Sequence, residues 1–308
     1  MKRRVLVIRN PAAGGGGHDS AARAETLLRE LRAAGHCVSE MVTRTADEAR
    51  GWAAAHSGDR DVVVAAGGDG TAHEVANGLL AARGTAALAV APFGTGNDFA
   101  RLLGTVTPAD TVRAVTEAQP ALIDTFEVTF LRQPESARRF GLLFVACGIA
   151  TPLLQATTPG LKRLLGRRWC YMAGFLRALG GYRPLSIRVR SAAGEWEDSS
   201  ATVLAVAKGR HAGGAVLQLA PAARYTDGTL HGVWLGRASR GAVLGHFARL
   251  RQGIHGRHPA VRCFTTDWLE ITTDPPQALA LDGEVIGSTP ARIEVRPASL
   301  RVLGLAPL

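Results

Sequence analysis

Two glycine-rich turns, each closing an apolar run, carry the residue types that handle phosphate. The first is Gly67-Gly68-Asp69-Gly70-Thr71, directly after Val62 to Ala66 and directly before a helical pattern that contains Glu74 and Asn77. Glycine lets a backbone approach a ligand closely and take positive φ, and the free amides and positive dipole end of a helix attract an anion. Asp69 lies inside that anion site. A carboxylate there repels phosphate unless a divalent cation lies between them, so its presence argues for Mg²⁺ or for proton transfer. The second turn is Pro92-Phe93-Gly94-Thr95-Gly96-Asn97-Asp98-Phe99-Ala100-Arg101, again after an apolar run. Asn10-Pro11 and the Gly14 to Gly17 run, after the first apolar run, would add a third loop. An ordinary Asp-Gly turn is the plain structural alternative for the first, and five residues in this order after a clean strand weigh against it.

Turns converge in this way when they end successive strands of one parallel sheet. The first third of the chain supplies such a frame. Val5 to Ile8, Val38 to Val42, Val62 to Ala66 and Ala87 to Ala91 read as strands, and Ala21 to Ala34, Ala46 to Ala55 and Ala72 to Ala82 read as the helices between them. After about residue 121 the texture changes to short runs rich in Val, Ile, Phe and Thr, among them Ile123 to Phe130, Phe140 to Cys147, Leu185 to Arg190, Thr202 to Ala207, Thr229 to Leu235, Trp268 to Thr273 and Arg292 to Arg296. Such runs predict a mainly antiparallel β lobe. Helical patterns interrupt it near Leu161 to Leu179 and Arg240 to Gly253. The expectation is an α/β domain over residues 1–122, to which about 297–308 are candidates to return, and a β-rich domain over 123–296.

The chain has 308 residues, 46% hydrophobic and 20% charged, which suits two buried cores and no disordered region. A formal net charge of +10 favours anionic partners, and arginine supplies nearly all of it, because lysine occurs only at Lys2, Lys162 and Lys208. No nucleic-acid-binding motif accompanies that charge. Cys37, Cys147, Cys170 and Cys263 show no metal-like spacing and read as buried thiols. The apolar run after Met1-Lys2-Arg3-Arg4 is too short for an export signal, so a reducing cytoplasm is expected. Phe140 to Leu154 is too short to cross a bilayer and reads as a buried strand running into a loop. There is no P-loop signature, no dinucleotide fingerprint at Rossmann spacing, no protein-kinase motif and no H-E-x-x-H, and the histidines read as surface or packing residues.

The two turns, with Glu74-Val75 and Asn77-Gly78-Leu79 after the first, resemble the diacylglycerol kinase catalytic-domain family, and within it the bacterial lipid kinases of the YegS and DgkB type. The likeness continues through Asn10-Pro11, Val42-Thr43, Ile123-Asp124, Gly213-Gly214, Pro221, Ala223, Asp227-Gly228 and Leu281-Asp282-Gly283-Glu284, in order along nearly the whole chain. The resemblance implies an N-terminal lobe that binds ATP, a β-sandwich lobe, and a lipid acceptor entering between them. It assigns the nucleotide to Asn10, Pro11, Thr43, Gly67, Gly68, Asp69, Gly70, Thr71, Gly94, Thr95 and Asn97. Glu284 is implied as the acceptor of the lipid hydroxyl proton. It further implies a magnesium site on Asp227 with the backbone oxygens of Arg224 and Thr229, linked by water to Asp69, Asp98 and Asp124. For Asp282-Gly283 the residues alone favour a hairpin turn.

Two departures from the family stand out. Lys208-Gly209 replaces an Asn-Gly pair, and Ala215 stands where a third glycine is usual. The arginine-rich, aromatic segment Leu161 to Arg177 has the character of a helix that lies in a membrane interface at the inner face, and packing on the β lobe is the alternative. NAD kinases share the first turn, sphingosine and ceramide kinases share more, and an inactive lipid-binding regulator is the reading from another class. Asn97-Asp98-Phe99-Ala100-Arg101 and Asp282-Gly283-Glu284 favour the lipid branch, and Asp69, Asp227 and Glu284 together favour an enzyme. A homodimer is expected on base rate alone.

Overall fold

Val62–Gly67 is buried at every position, as a strand covered on both faces of a parallel sheet must be. The computed structural model describes residues 2–15, 18–133, 138–156, 169 and 172–306. Two units divide the chain, one formed by Met1–Asp124 with Pro297–Leu308 and the other by Thr125–Arg296.

In the first unit β1 (Arg4–Arg9), α1 (His18–Ala33), β2 (Cys37–Val42), α2 (Ala46–Ala55), β3 (Val62–Gly67), α3 (Asp69–Ala82) and β4 (Ala87–Pro92) alternate. The strands pair in parallel in the order β2-β1-β3-β4, with Val5 opposite Val38 and Val62, and Val63 opposite Leu88. Leu27 and Leu31 of α1 bury against Val5, Val7, Val64 and Ala89. Two helices escaped the sequence reading, α4 (Asp98–Leu102) and α5 (Pro108–Glu117). The second has a plain signal, a capping box between Thr107 and Asp110 with proline in its first turn.

Most strands of the second unit are antiparallel. They are β5 (Ala121–Phe130, entering from the first unit), β6 (Arg139–Gly141), β7 (Phe144–Gly148), β8 (Leu185–Ser191), β9 (Gly194–Ala207), β10 (His211–Ala212), β11 (Leu217–Gln218), β12 (Leu230–Gly236), β13 (Val261–Thr266), β14 (Trp268–Asp274), β15 (Ala278–Leu281), β16 (Glu284–Ser288) and β17 (Ala291–Val302, whose end returns to the first unit). Neighbours run β16-β15-β7-β9-β8-β14-β17, with β12 bridging β9 and β13. Phe126, Val206, Trp234, Leu281 and Ile293 share its core. Val302 at the end of β17 pairs in parallel with Leu88 of β4.

Phe140 to Leu154 is not one strand and a loop. Asp282 accepts hydrogen bonds from Leu142 and Leu143, breaking the run into β6 and β7, and α6 (Ala150–Ala156) follows. Of the arginine-rich segment, residues 161–168 and 170–171 lie outside the described residues, Arg163, Arg167 and Arg168 among them. Trp169 is 68% exposed, while α7 (172–180) buries Phe175 against Phe247 of α8 (Arg240–Gln252) with ring centroids 4.1 Å apart. Among the described residues no helix is long and apolar enough to cross a membrane. The cysteines are not uniformly buried. Cys147 is, which pushes its thiol up to about 12, but Cys37 and Cys263 are exposed because they lie on β2 and β13, strands with a neighbour on one side only. Ala215, in place of the missing glycine, takes a left-handed φ of 63° beside Gly213 at 69° and Gly214 at 73°, and carries the strain of a Cβ there.

Candidate functional site

The C-terminal ends of β1, β3 and β4 meet in the first unit, and backbone hydrogen bonds tie them together. Asn10 N donates to Ala66 O at 3.0 Å, while Phe93 N and Gly94 N donate to Gly67 O at 2.9 and 3.1 Å. Asn10 Nδ2 reaches Thr71 Oγ1 at 3.3 Å, joining the first loop to the first turn of α3. Thr43, at the end of β2, donates both its amide and its hydroxyl to Arg9 O, at 2.8 and 3.2 Å.

Glycine is required at these contacts. A Cβ on Gly94 would lie 2.4 Å from Gly68 Cα, and one on Gly14 would lie 2.3 Å from Phe93 O at a φ of 66°. The two turns and the first loop are thus pressed backbone to backbone. Gly68 caps α3 with no side chain, which leaves the first amides of that helix pointing out of the turn without a side-chain acceptor from the cap. Asn97, in a left-handed conformation with φ 56°, braces the second turn by accepting from Gly94 N at 3.1 Å and donating to Gly94 O at 2.7 Å. Thr95 is exposed at its tip.

Asp69 has a structural role in this crevice. Its Oδ1 accepts from Phe99 N at 3.2 Å, so the carboxylate of the first turn anchors the helix that follows the second. Burial, and next the nearby Asp98 carboxylate, raise Asp69 to about 6, against the amides of Phe99, Asn97 and Asp98. Two carboxylates with this mutual cost suit a cation. Asp124 has another role, accepting from Ala298 N at 2.9 Å and so fixing the returning chain at a residue with φ 46°. Arg23 of α1, which the sequence reading did not single out, donates to Pro92 O at 2.8 Å and lies over Phe93 at 4.8 Å. A lone helical arginine carries no sequence signal for that contact.

In the second unit Asp282 and Gly283 take φ values of 49° and 100°, the two positive values of a tight hairpin turn between β15 and β16. The Asp282 carboxylate, buried, accepts from Leu142 N at 2.7 Å, Leu143 N at 2.8 Å and Phe144 N at 2.9 Å. Glu284 next to it pairs through its backbone with Leu281 and is exposed, and among the described residues its side chain has no hydrogen bond or ion pair. The turn reading and the catalytic reading of Asp282-Gly283-Glu284 therefore apply to different residues, the first two building the hairpin and the third presenting a carboxylate.

Leu143 links this hairpin to Lys208, whose amide, like that of Gly209, donates to Leu143 O at 2.8 Å. The Lys208 side chain is fully buried and its Nζ donates to the Asp227 carboxylate and to Thr229 O, the latter at 3.0 Å. Asp227 also accepts from Thr229 N and Arg224 N, each at 3.1 Å, and His231 Nε2 lies 2.9 Å from its Oδ2. Burial alone would raise this carboxyl, but Lys208 and His231 hold it well below the usual carboxylate range. The expected magnesium site on Asp227, Arg224 and Thr229 does not fit this arrangement, because an ammonium group sits on two of its oxygens and Arg224 offers an N–H to the carboxylate. No group of three or more His, Cys, Asp or Glu among the described residues is arranged to hold a metal. His231 is a partner of Asp227, which corrects its reading as a surface or packing residue.

Comparison with known proteins adds the following. Residues 4–128 match the diacylglycerol kinase catalytic domain, and residues 154–304 match the YegS C-terminal NAD kinase beta sandwich-like domain. A protein named "Probable lipid kinase YegS-like" from Stenotrophomonas maltophilia is 32% identical over 251 residues, covering 79% of this chain and 78% of that protein. One of the same name from Pseudomonas aeruginosa is 31% identical over 243 residues, covering 78% and 75%. A crystal structure of a diacylglycerol kinase from Bacillus anthracis superposes with a TM-score of 0.73 at 19% identity over 99% of this chain and 98% of that one. Yeast NADH kinase complexed with NADH superposes with a TM-score of 0.55 at 10% identity, covering 99% and 84%, which is a likeness of fold.

Proposed function

The chain belongs to the diacylglycerol kinase catalytic-domain family, and from that membership we propose that it transfers the γ-phosphoryl group of ATP to the hydroxyl of a membrane lipid such as diacylglycerol. The observation that carries the proposal is the joining of three strand-end loops, through Gly14, Gly68 and Gly94, around the uncapped start of α3. Phosphoryl transfer asks a protein for in-line positioning and for neutralisation of charge, with little covalent help.

In this reading the amides of Gly68 to Thr71 receive the phosphates, while Asn10, Thr43, Gly94, Thr95 and Asn97 shape the crevice around the nucleotide. Asp69 and Asp98 would hold the magnesium that accompanies ATP, and that ion would supply positive charge to the transferring group. Asp69 keeps the two turns in register and completes the acidic wall. Glu284 takes the hydroxyl proton, and with no side-chain partner among the described residues both of its oxygens are available for that task. Efficient transfer requires its carboxylate within roughly 3 Å of the acceptor oxygen in the reacting complex. The acceptor class comes from the relatives named lipid kinases, and the reaction then takes place at the inner face of a membrane.

The test is transfer of label from γ-labelled ATP in the presence of vesicles that contain diacylglycerol, ceramide or sphingosine, with NAD as a competing acceptor. Label in a lipid that disappears with Glu284→Gln supports the proposal. Label in NAD and in no lipid overturns it.

A further inference from the structure

A buried ammonium persists only where oxygens of opposite or partial negative charge surround it. Lys208, 0% exposed at the end of β9, meets that demand with the Asp227 carboxylate and Thr229 O. The strand pairing places it there, because Ala207 lies opposite His231 at the start of β12 and the Asp227 loop leads directly into that strand. Asp227 Oδ1 also accepts from Thr229 N, and its Oδ2 is met by Arg224 N and His231 Nε2. A magnesium ion demands near-octahedral oxygen ligands at about 2.1 Å, and here it would have to displace the ammonium or share oxygens with a like charge.

We infer that Lys208 is a fixed cation that takes the place of a divalent metal ion on the Asp227 loop. The second unit of this chain is therefore organised without a metal at that point. The charge is smaller than that of magnesium, but it is carried by the chain itself and does not depend on the concentration of a free ion. The loop order that a metal would supply by coordination comes instead from one ammonium and from the amides of Arg224 and Thr229. The inference does not rest on phosphoryl transfer, because metal binding and unfolding read it directly.

The full chain, free of nucleotide, is titrated with Mn²⁺ and the bound ion is read by paramagnetic resonance, with thermal unfolding followed in excess EDTA and in excess MgCl₂. The wild-type protein should show no Mn²⁺ site that Asp227→Asn abolishes, and Asp227→Asn should leave the difference between its midpoints in the two solutions unchanged. Lys208→Asn should gain one Mn²⁺ site, lose it again in combination with Asp227→Asn, and unfold at a higher temperature in MgCl₂ than in EDTA. A wild-type site that Asp227→Asn removes, or a folded Lys208→Asn variant that gains none, would overturn the inference. A variant-free measurement decides the case should that variant not fold. Unbroadened His231 ring resonances in wild-type protein with Mn²⁺ support the fixed cation, and broadened ones refute it.

Discussion

Asp69 Oδ1 accepts the backbone N–H of Phe99 at 3.2 Å, so one carboxylate fastens the two glycine-rich turns to each other. The bond makes Asp69 a positioning residue as well as part of the acidic wall, and its two duties can be separated.

Asp69 is raised from 3.8 to about 6 by burial and by Asp98. A carboxyl whose pKa is raised on folding favours the native state below its unfolded pKa, and that contribution is lost as pH rises through about 6. Asn keeps the neutral form at every pH. Thermal unfolding of nucleotide-free Asp69→Asn should therefore gain on the wild type as the pH goes from about 4 to about 7. A gap between the two proteins that does not change with pH would contradict the cause assigned to the shift.

Asp282 and Glu284 should behave as opposites although one residue separates them. Removing the buried acceptor of three backbone N–H groups in Asp282→Ala should cost about 3 kcal/mol in urea unfolding, since hydrogen bonds to a charged group are among the stronger ones and the orphaned amides stay buried. Glu284→Gln, at an exposed position, should unfold like the wild type and lose turnover by about 100-fold or more, the usual worth of a positioned base.

His246 is lowered to about 4, first by burial and then by the charges of His255, His258 and Arg249. Its pKa in the unfolded chain is 6.5, so the stability it permits is present above that value and is lost as pH falls toward about 4. His246→Gln should flatten the acid limb of a plot of midpoint against pH. An unchanged acid limb would place the sensitivity elsewhere.

The parallel frame of the first unit was legible because its strands are short, continuous apolar runs and its helices have a clear stripe. Val62 to Ala66 and Ala46 to Ala55 match the structure to within a residue. The second unit was harder, since several of its strands are brief or lie at an edge. Val261–Thr266 has one neighbour and alternates weakly, and Ala278–Leu281 is four residues long. Spacing also marked the glycine turns, but it could not reveal that Asp69 anchors Phe99 or that Asp282 holds three amides from residues 142–144. Such bonds span 30 to 140 positions in the sequence and depend on tertiary approach. Lys208 was visible as a departure in the sequence, but its burial and its bond to Thr229 O depend on tertiary approach as well.

The account rests on the glycine turns forming a single nest for a triphosphate, and the most direct test is the ATP affinity of Gly94→Ala. Its new Cβ would stand 2.4 Å from Gly68 Cα, a backbone atom that cannot rotate aside. Calorimetric titration with MgATP should show affinity weakened by about 100-fold, some 2.7 kcal/mol, in a protein that still unfolds cooperatively, while Glu284→Gln retains wild-type affinity. Wild-type affinity in Gly94→Ala would contradict the shared nest and place the nucleotide elsewhere on the molecule.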